Sequence, residues 1–327
     1  MTKNSVDAAL RIVGDVEDSS YVTGRRRDTI GTGFVIVVPS ETFEGVLYAY
    51  ALTAHHVIDL QTKVEVQAAN PFTLGELYPP FELSDWRQPL EGVDLVVCPI
   101  DENLQEGGDQ TIHGMSLARE VLPPAVIPSL GTTIYYIGYL QPLDRMMVRS
   151  GTIGAQEVVR MKHCQPEYDY HCHLVDCRSY GGFSGSPCFF LQSLPVLAER
   201  EKGTIYGFSE KRFPKLPVGS TLNVSVLCGM FTEHLDDKYG NDEGVVSRYG
   251  VGVMLPSLLI WRALMTDEAK EERREWDEER KRAAADDAGP GLQPAVRQPD
   301  DDDEWARFDR LAKQVANTPK QVEDESQ

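Results

Sequence analysis

Three residues suited to nucleophilic chemistry stand in separate, well-marked settings. They are His56 in Thr53-Ala54-His55-His56-Val57, Asp94 in Gly92-Val93-Asp94-Leu95, and Ser184 in Gly181-Gly182-Phe183-Ser184-Gly185-Ser186-Pro187. A serine hydroxyl is a weak nucleophile at neutral pH. It needs a base within hydrogen-bond reach and a carboxylate that holds the base in the right tautomer. The glycines around Ser184 let the backbone turn sharply and leave amide N–H groups to face a developing oxyanion. The chemistry these residues could do together is acyl transfer. Ser184 would attack, His56 would carry the proton, Asp94 would hold His56, and the N–H groups of Gly182 and Ser184 would form the oxyanion hole. Singly, each has an ordinary reading as a turn or a cap, and it is the ordered set that argues for a site.

The order along the chain narrows the class. The motif G-x-S-x-G at a strand-to-helix elbow goes with the order Ser, Asp, His. Here the order is His, Asp, Ser, and Pro187-Cys188-Phe189-Phe190-Leu191 after the serine reads as a strand.

Further segments join the set: Gly31-Thr32-Gly33-Phe34-Val35-Ile36 ahead of the histidine, then Cys228-Gly229-Met230 and Gly250-Val251-Gly252-Val253-Met254-Leu255-Pro256-Ser257 after the serine. With the three boxes they resemble the trypsin-like (chymotrypsin-fold) serine peptidases, of the bacterial HtrA/Deg-like and glutamyl-endopeptidase-like kind, over roughly residues 8–265. The resemblance implies an all-β fold of two six-stranded antiparallel β-barrels with the site in the cleft between them. It implies a serine endopeptidase acting on protein or peptide substrates, with no cofactor. Arg178 would stand at the base of the substrate pocket, where a guanidinium favours an acidic residue before the scissile bond, unless it points out or pairs with Asp176. Cys228 and Gly229 would form the pocket wall. Val226 does not match the histidine of glutamyl-specific relatives.

Phe183 departs from the family pattern, which has Asn or Asp there. An acid at that position would pair with a new N-terminus after activation cleavage, so Arg11-Ile12-Val13-Gly14 reads as a first strand and not as an activation site. The adjacent His55 and His56 compete for the base role. The family pattern selects His56, and an extended backbone would send the two side chains to opposite faces.

Short β-rich segments alternating with turn residues run through most of the chain, as in a barrel or sandwich. Expected strands are residues 10–14, 33–38, 46–53, 63–68, 93–99, 132–139, 147–153, 172–177, 186–191, 204–208, 220–231 and 250–254. Arg25-Arg26-Arg27 is expected in an exposed loop between the first two strands. A peptidase domain over 1–265 divides into a barrel at about 8–120 and another at about 130–256, with the crossing in the Pro-rich stretch 121–128. From Pro256 the pattern turns helical. Leu258, Leu259, Trp261, Leu264 and Met265 form an apolar stripe, and Asp277–Lys281 and Glu278–Arg282 have the spacing of a solvated helix. This charged helix covers 256–286. Gly289-Pro290-Gly291 breaks it, and residues 287–327 form an acidic, flexible tail in which Asp300-Asp301-Asp302-Asp303-Glu304 cannot bury itself. Trp305, Phe308, Leu311 and Val315 recur at helical spacing within the tail.

A length of 327 residues with 41% hydrophobic content supports a buried core. The net charge of −19 opposes nucleic acid as a partner, because phosphate binding needs a basic face. No run of eighteen apolar residues and no leader pattern is visible, so the expectation is a cytoplasmic protein without a membrane span. The six cysteines then read as free thiols, with Cys98, Cys188 and Cys228 as small buried hydrophobes. His163, Cys164, His171, Cys172, His173 and Cys177 offer soft ligands, but their spacing matches no zinc motif, and none is assigned to a metal. The helix and tail are a candidate surface for a regulatory protein. The rival to an enzyme is a catalytically silent protease-fold module that binds peptide or protein.

Overall fold

The structure is a computed structural model, and it describes residues 9–17, 25–43, 46–59, 65–68, 85–100, 115–116, 128–140, 145–159, 170–177, 182–195, 221–237 and 247–287. The N-terminal half contributes β1 (Ala9–Glu17), β2 (Arg25–Pro39), β3 (Leu47–Thr53), the one-turn helix α1 (His55–Asp59), β4 (Glu65–Ala68), β5 (Val96–Ile100) and β6 (Met115–Ser116). The C-terminal half contributes β7 (Thr133–Leu140), β8 (Arg145–Val159), β9 (Tyr170–Asp176), β10 (Pro187–Pro195), β11 (Thr221–Asp237) and β12 (Ser247–Pro256), followed by α2 (Ser257–Leu264) and α3 (Asp267–Asp287).

Strands β7 to β12 close into a six-stranded antiparallel barrel in the order β10-β11-β12-β9-β8-β7. The first six strands form a sheet in the order β4-β1-β2-β3-β5, with β6 running parallel to β2. Among the described residues this sheet is an open path, so the closed first barrel of the sequence reading is not seen. The expected strand at 204–208 and most of the Pro-rich crossing lie outside the described residues.

Arg25–Arg27 lie in β2, not in a loop. They extend the β1–β2 ladder, and the register sets Arg27 opposite Asp15 and Arg25 opposite Glu17.

A core runs from Leu10, Ile12, Phe34, Ile36 and Leu52 in the N-terminal sheet to Leu227, Met230 and Leu255 of the barrel, with Ile260 and Leu264 of α2. A separate cluster of Ile134, Tyr136, Phe183, Cys188, Phe231 and Met254 fills the barrel. Burial of apolar area on this scale is the main favourable term in folding.

The single expected helix is two. Met265 ends α2 with its N–H on the Arg262 carbonyl, and Thr266 starts α3 by accepting the Ala269 N–H on Oγ1 at 3.3 Å. Threonine followed by Asp267 and Glu268 is an N-cap with an acidic first turn, a signal present in the sequence and passed over.

The expected solvated pairing of α3 is also corrected. Asp277 is buried and accepts from Ser40 Oγ at 2.8 Å and from the Tyr48 hydroxyl. Arg273, also buried, donates to the Leu264 carbonyl at 2.9 Å and to the Tyr50 hydroxyl at 3.2 Å, and Trp276 stacks at a tilt on Tyr48. The outer face carries i,i+3 pairs instead, Glu271–Arg274 and Glu278–Lys281. The helix expected to serve a partner therefore has one face committed to the chain's own N-terminal sheet. No described helix is long and apolar enough to cross a membrane. The acidic tail lies outside the described residues.

Candidate active site

Strand β3 ends at Thr53, and the chain turns through Ala54 into α1, which starts at His55. The backbone here is helical, not extended, so strand alternation does not separate the two histidines. Asp94 does. Its Oδ2 lies 2.8 Å from His56 Nδ1, and its Oδ1 accepts the His56 backbone N–H at 3.0 Å. One carboxylate thus fixes both the ring and the backbone that carries it. Asp94 is 1% exposed and His56 is 19% exposed at the side chain, so the carboxylate is sealed in while the ring reaches the surface. Asp94 sits just ahead of β5, which pairs with β3, and this pairing brings the two segments together.

Ser184 lies in the turn that leads into β10, between Gly182 at φ 97° and Gly185 at φ 84°. Positive φ is strained for residues with a Cβ. At Gly185 a Cβ would also run into the Thr32 carbonyl oxygen and Thr53 Oγ1. One internal bond and two bonds to β11 hold the turn. Ser186 N–H donates to the Phe183 carbonyl at 3.0 Å, Gly185 N–H to the Phe231 carbonyl at 2.7 Å, and Phe231 N–H to the Ser186 carbonyl at 2.8 Å. Among the described residues, none accepts a hydrogen bond from the N–H of Gly182 or Ser184.

Thr32 of β2 joins the two halves. Its N–H donates to the Ser184 carbonyl at 2.8 Å, and its Oγ1 donates to the Gly182 carbonyl at 2.7 Å and accepts the Tyr139 N–H at 2.9 Å. Its own carbonyl accepts from Thr53 Oγ1 at 2.7 Å, three residues before His56. Next to it, Gly31 lies between Val57 and the Ser184 carbonyl, so closely that a Cβ there would overlap Val57 Cγ1. The His56 helix and the Ser184 turn are therefore separated by one glycine. Sequence reading took the Gly31–Ile36 box only as a strand leading towards the histidine. The threonine between two glycines was the available signal of a closer role.

Phe183 is fully buried, edge-on to Tyr136 with ring centroids 5.4 Å apart. Arg11–Gly14 lie in β1, paired on both sides with β2 and β4, and Ile12 is buried. Neither feature resembles an ionic activation switch.

The pocket residues fare differently. Arg178 and Gly181 lie outside the described residues. Cys228 turns its thiol into the barrel, onto the Cys188 carbonyl at 3.3 Å, so it can offer a pocket only its backbone. Gly229 is buried on β11 opposite Pro256 of β12. Burial raises the thiols of Cys177, Cys188 and Cys228 and pushes Cys98 up to about 12, which keeps them protonated and unreactive. The five described cysteines are buried, with no disulfide among them. Of the soft-ligand cluster, His163 and Cys164 lie outside the described residues, while Cys172 and His173 are buried and His171 is exposed. Among the described residues no three His, Cys, Asp or Glu side chains gather as a metal site would require.

An N-terminal sheet and a six-stranded barrel, meeting at Gly31 between the helix that carries His56 and the turn that carries Ser184, define a chymotrypsin-type architecture. Residues 31–193 match the family described as trypsin-like peptidase domain, a family of protease-type hydrolases. No curated protein matches the sequence. Among solved structures, the MamO protease domain from Magnetospirillum magneticum in its apo form is 14% identical, with 81% of this chain and 100% of that one covered at a TM-score of 0.44. The inactive form of the Rv3671c protease is 12% identical, with 80% and 88% covered and a TM-score of 0.41. The HtrA-type protease AlgW with a decapeptide is 15% identical, with 80% and 66% covered and a TM-score of 0.44.

Proposed function

We propose that the chain is a serine endopeptidase that works through His56, Asp94 and Ser184. The observation that carries the reading is the grip of the buried Asp94 on both His56 Nδ1 and His56 N–H, beside a turn that presents Ser184. With Nδ1–H on the carboxylate, Nε2 holds the lone pair of the basic tautomer. Ser184 Oγ attacks the peptide carbonyl and His56 Nε2 takes its proton. The tetrahedral oxyanion is held by the N–H groups of Gly182 and Ser184. As the C–N bond breaks, His56 returns the proton to the leaving amine, and water then hydrolyses the acyl-enzyme by the same route. Asp94 stabilises the imidazolium that forms at each step.

Substrates are peptides or proteins. Buried cysteines with no disulfide among the described ones fit a reducing, cytoplasmic setting. A regulatory partner at the C-terminal end would meet the outer face of α3, where Glu268, Glu271, Arg274, Glu275 and Glu278 are exposed.

A fluorophosphonate probe tests the reading. Wild-type protein should label, and Ser184→Ala and His56→Ala should not. Asp94→Asn should keep the fold and lose rate by about 10⁴-fold, as an amide selects the wrong tautomer. Folded wild-type protein that takes no label would favour the silent binding module.

A further inference from the structure

The geometry points to Thr32 as a positioning residue that holds the oxyanion hole in shape, an inference that rests on the serine-peptidase reading and extends it. The two oxyanion donors belong to the peptide units 181–182 and 183–184. Thr32 Oγ1 donates to the Gly182 carbonyl, which belongs to unit 182–183, and Thr32 N–H donates to the Ser184 carbonyl, which belongs to unit 184–185. One residue thus pins the two peptide units on either side of the Ser184 N–H. If either unit rotates, that donor turns with it.

The hydroxyl is engaged both as donor and as acceptor. Its single proton goes to the Gly182 carbonyl at 2.7 Å, and one of its two lone pairs accepts the Tyr139 N–H at 2.9 Å. Thr32 is 0% exposed, so water does not compete for the bond. Its carbonyl is held in turn by Thr53 Oγ1, at the end of the strand that leads to His56. The same residue, through its side chain and backbone together, therefore sets the oxyanion donors in register with the base as well as with the serine. Hydrogen bonds of this kind are worth most in catalysis when they fix donors before charge develops.

The test compares Thr32→Val, which keeps the shape and removes the hydroxyl, with Thr32→Ser, which keeps the hydroxyl. Fluorophosphonate labelling is resolved into the maximal rate of bond formation and the half-saturating probe concentration. In this reaction Ser184 Oγ bonds to phosphorus, fluoride leaves, His56 takes the proton, and the phosphoryl oxygen occupies the oxyanion hole. Thr32→Val should lose about 10²-fold in the maximal rate, the scale expected for a misplacement near 1 Å, with the half-saturating concentration little changed. Thr32→Ser should restore most of the rate. Amide exchange at Gly185, whose N–H is bonded to the Phe231 carbonyl of β11, and at Ser186, whose N–H is bonded to the Phe183 carbonyl within the turn, should quicken in the valine variant and not in the serine variant. If valine prevents folding, Thr32→Cys, a weaker donor of similar size, serves in its place.

Equal labelling and exchange in wild type and Thr32→Val would overturn the assignment, and so would an equal loss in the valine and serine variants. Wild-type protein that takes no label while Thr32→Val still loosens the turn would overturn the peptidase reading and support the clamp. No label together with an unloosened turn would sink both.

Discussion

Phe183 shows how one side chain changes the logic of the site. An acid at this position would require an ionic partner, whereas a phenyl ring requires only a dry slot. Tyr136 and Gly138 of β7 supply the slot, and a Cβ on Gly138 would strike the ring. The turn that presents Ser184 is thus anchored by burial. Phe183→Ala should cost about 3 to 5 kcal/mol in denaturant unfolding, the usual loss for a fully buried ring. A loss below about 1 kcal/mol would mean that the ring does not anchor the turn. The sequence showed that Phe183 could not pair with a freed N-terminus, but the slot was invisible there because Tyr136 lies on a strand far away in the chain. His173 makes a second case. It is buried, its Nδ1 has no hydrogen-bond partner among the described residues, and burial lowers its pKa from 6.5 to about 4. As pH falls, the unfolded chain takes this proton first. Stability is therefore fully present above about pH 6.5 and declines towards about pH 4, by a total on the order of 3 kcal/mol. His173→Leu should flatten that part of the stability curve against pH. An unchanged slope would place the titration elsewhere.

Among the elements, strands were the most legible and α3 the least. The nearly continuous apolar run Leu47–Thr53 marks β3 plainly, and its burial on both faces fits such a run. What the run does not show is which element covers the outer face. Tyr48 and Tyr50 lie under Trp276, Arg273 and Asp277 of a helix that reads as solvated, because charged residues at i,i+4 spacing look alike whether they meet water or buried hydroxyls. The short helix α1 was missed for another reason. One turn has no period to detect, and the carboxylate that holds it comes from residue 94. Asp277 offers the sharpest test at this scale. Its removal leaves the Ser40 and Tyr48 hydroxyls buried without their acceptor, so Asp277→Ala should destabilise by about 2 to 4 kcal/mol. A surface carboxylate would cost less than about 0.5 kcal/mol, and a value in that range would show that the face is not docked.

At the scale of the whole molecule, the apolar core that joins the N-terminal sheet to the barrel is supplemented, among the described residues, by ties that differ in kind. The Thr32 tie is polar and local, holding the serine turn to β2. The C-terminal tie is a strap, with α2 packed on β11 and β12 of the barrel and α3 packed on β3. Since β3 leads through Thr53 to His56, the strap also supports the base, although no described hydrogen bond links α3 to the Ser184 turn. The double variant Arg273→Ala, Asp277→Ala in the full-length chain separates these contributions. Local stability differs across a structure, and exchange reports the difference region by region. Amides of β3 and β5 should exchange faster in the variant, while those of β8 and β9 keep their protection. Fluorophosphonate labelling should fall with them, because a base on a loosened sheet spends less time aligned with Ser184. Uniform loss of protection across both halves would mean that the molecule opens as one cooperative unit. Faster exchange in β3 with labelling unchanged would mean that Asp94 and Thr32 hold His56 in place without help from the strap.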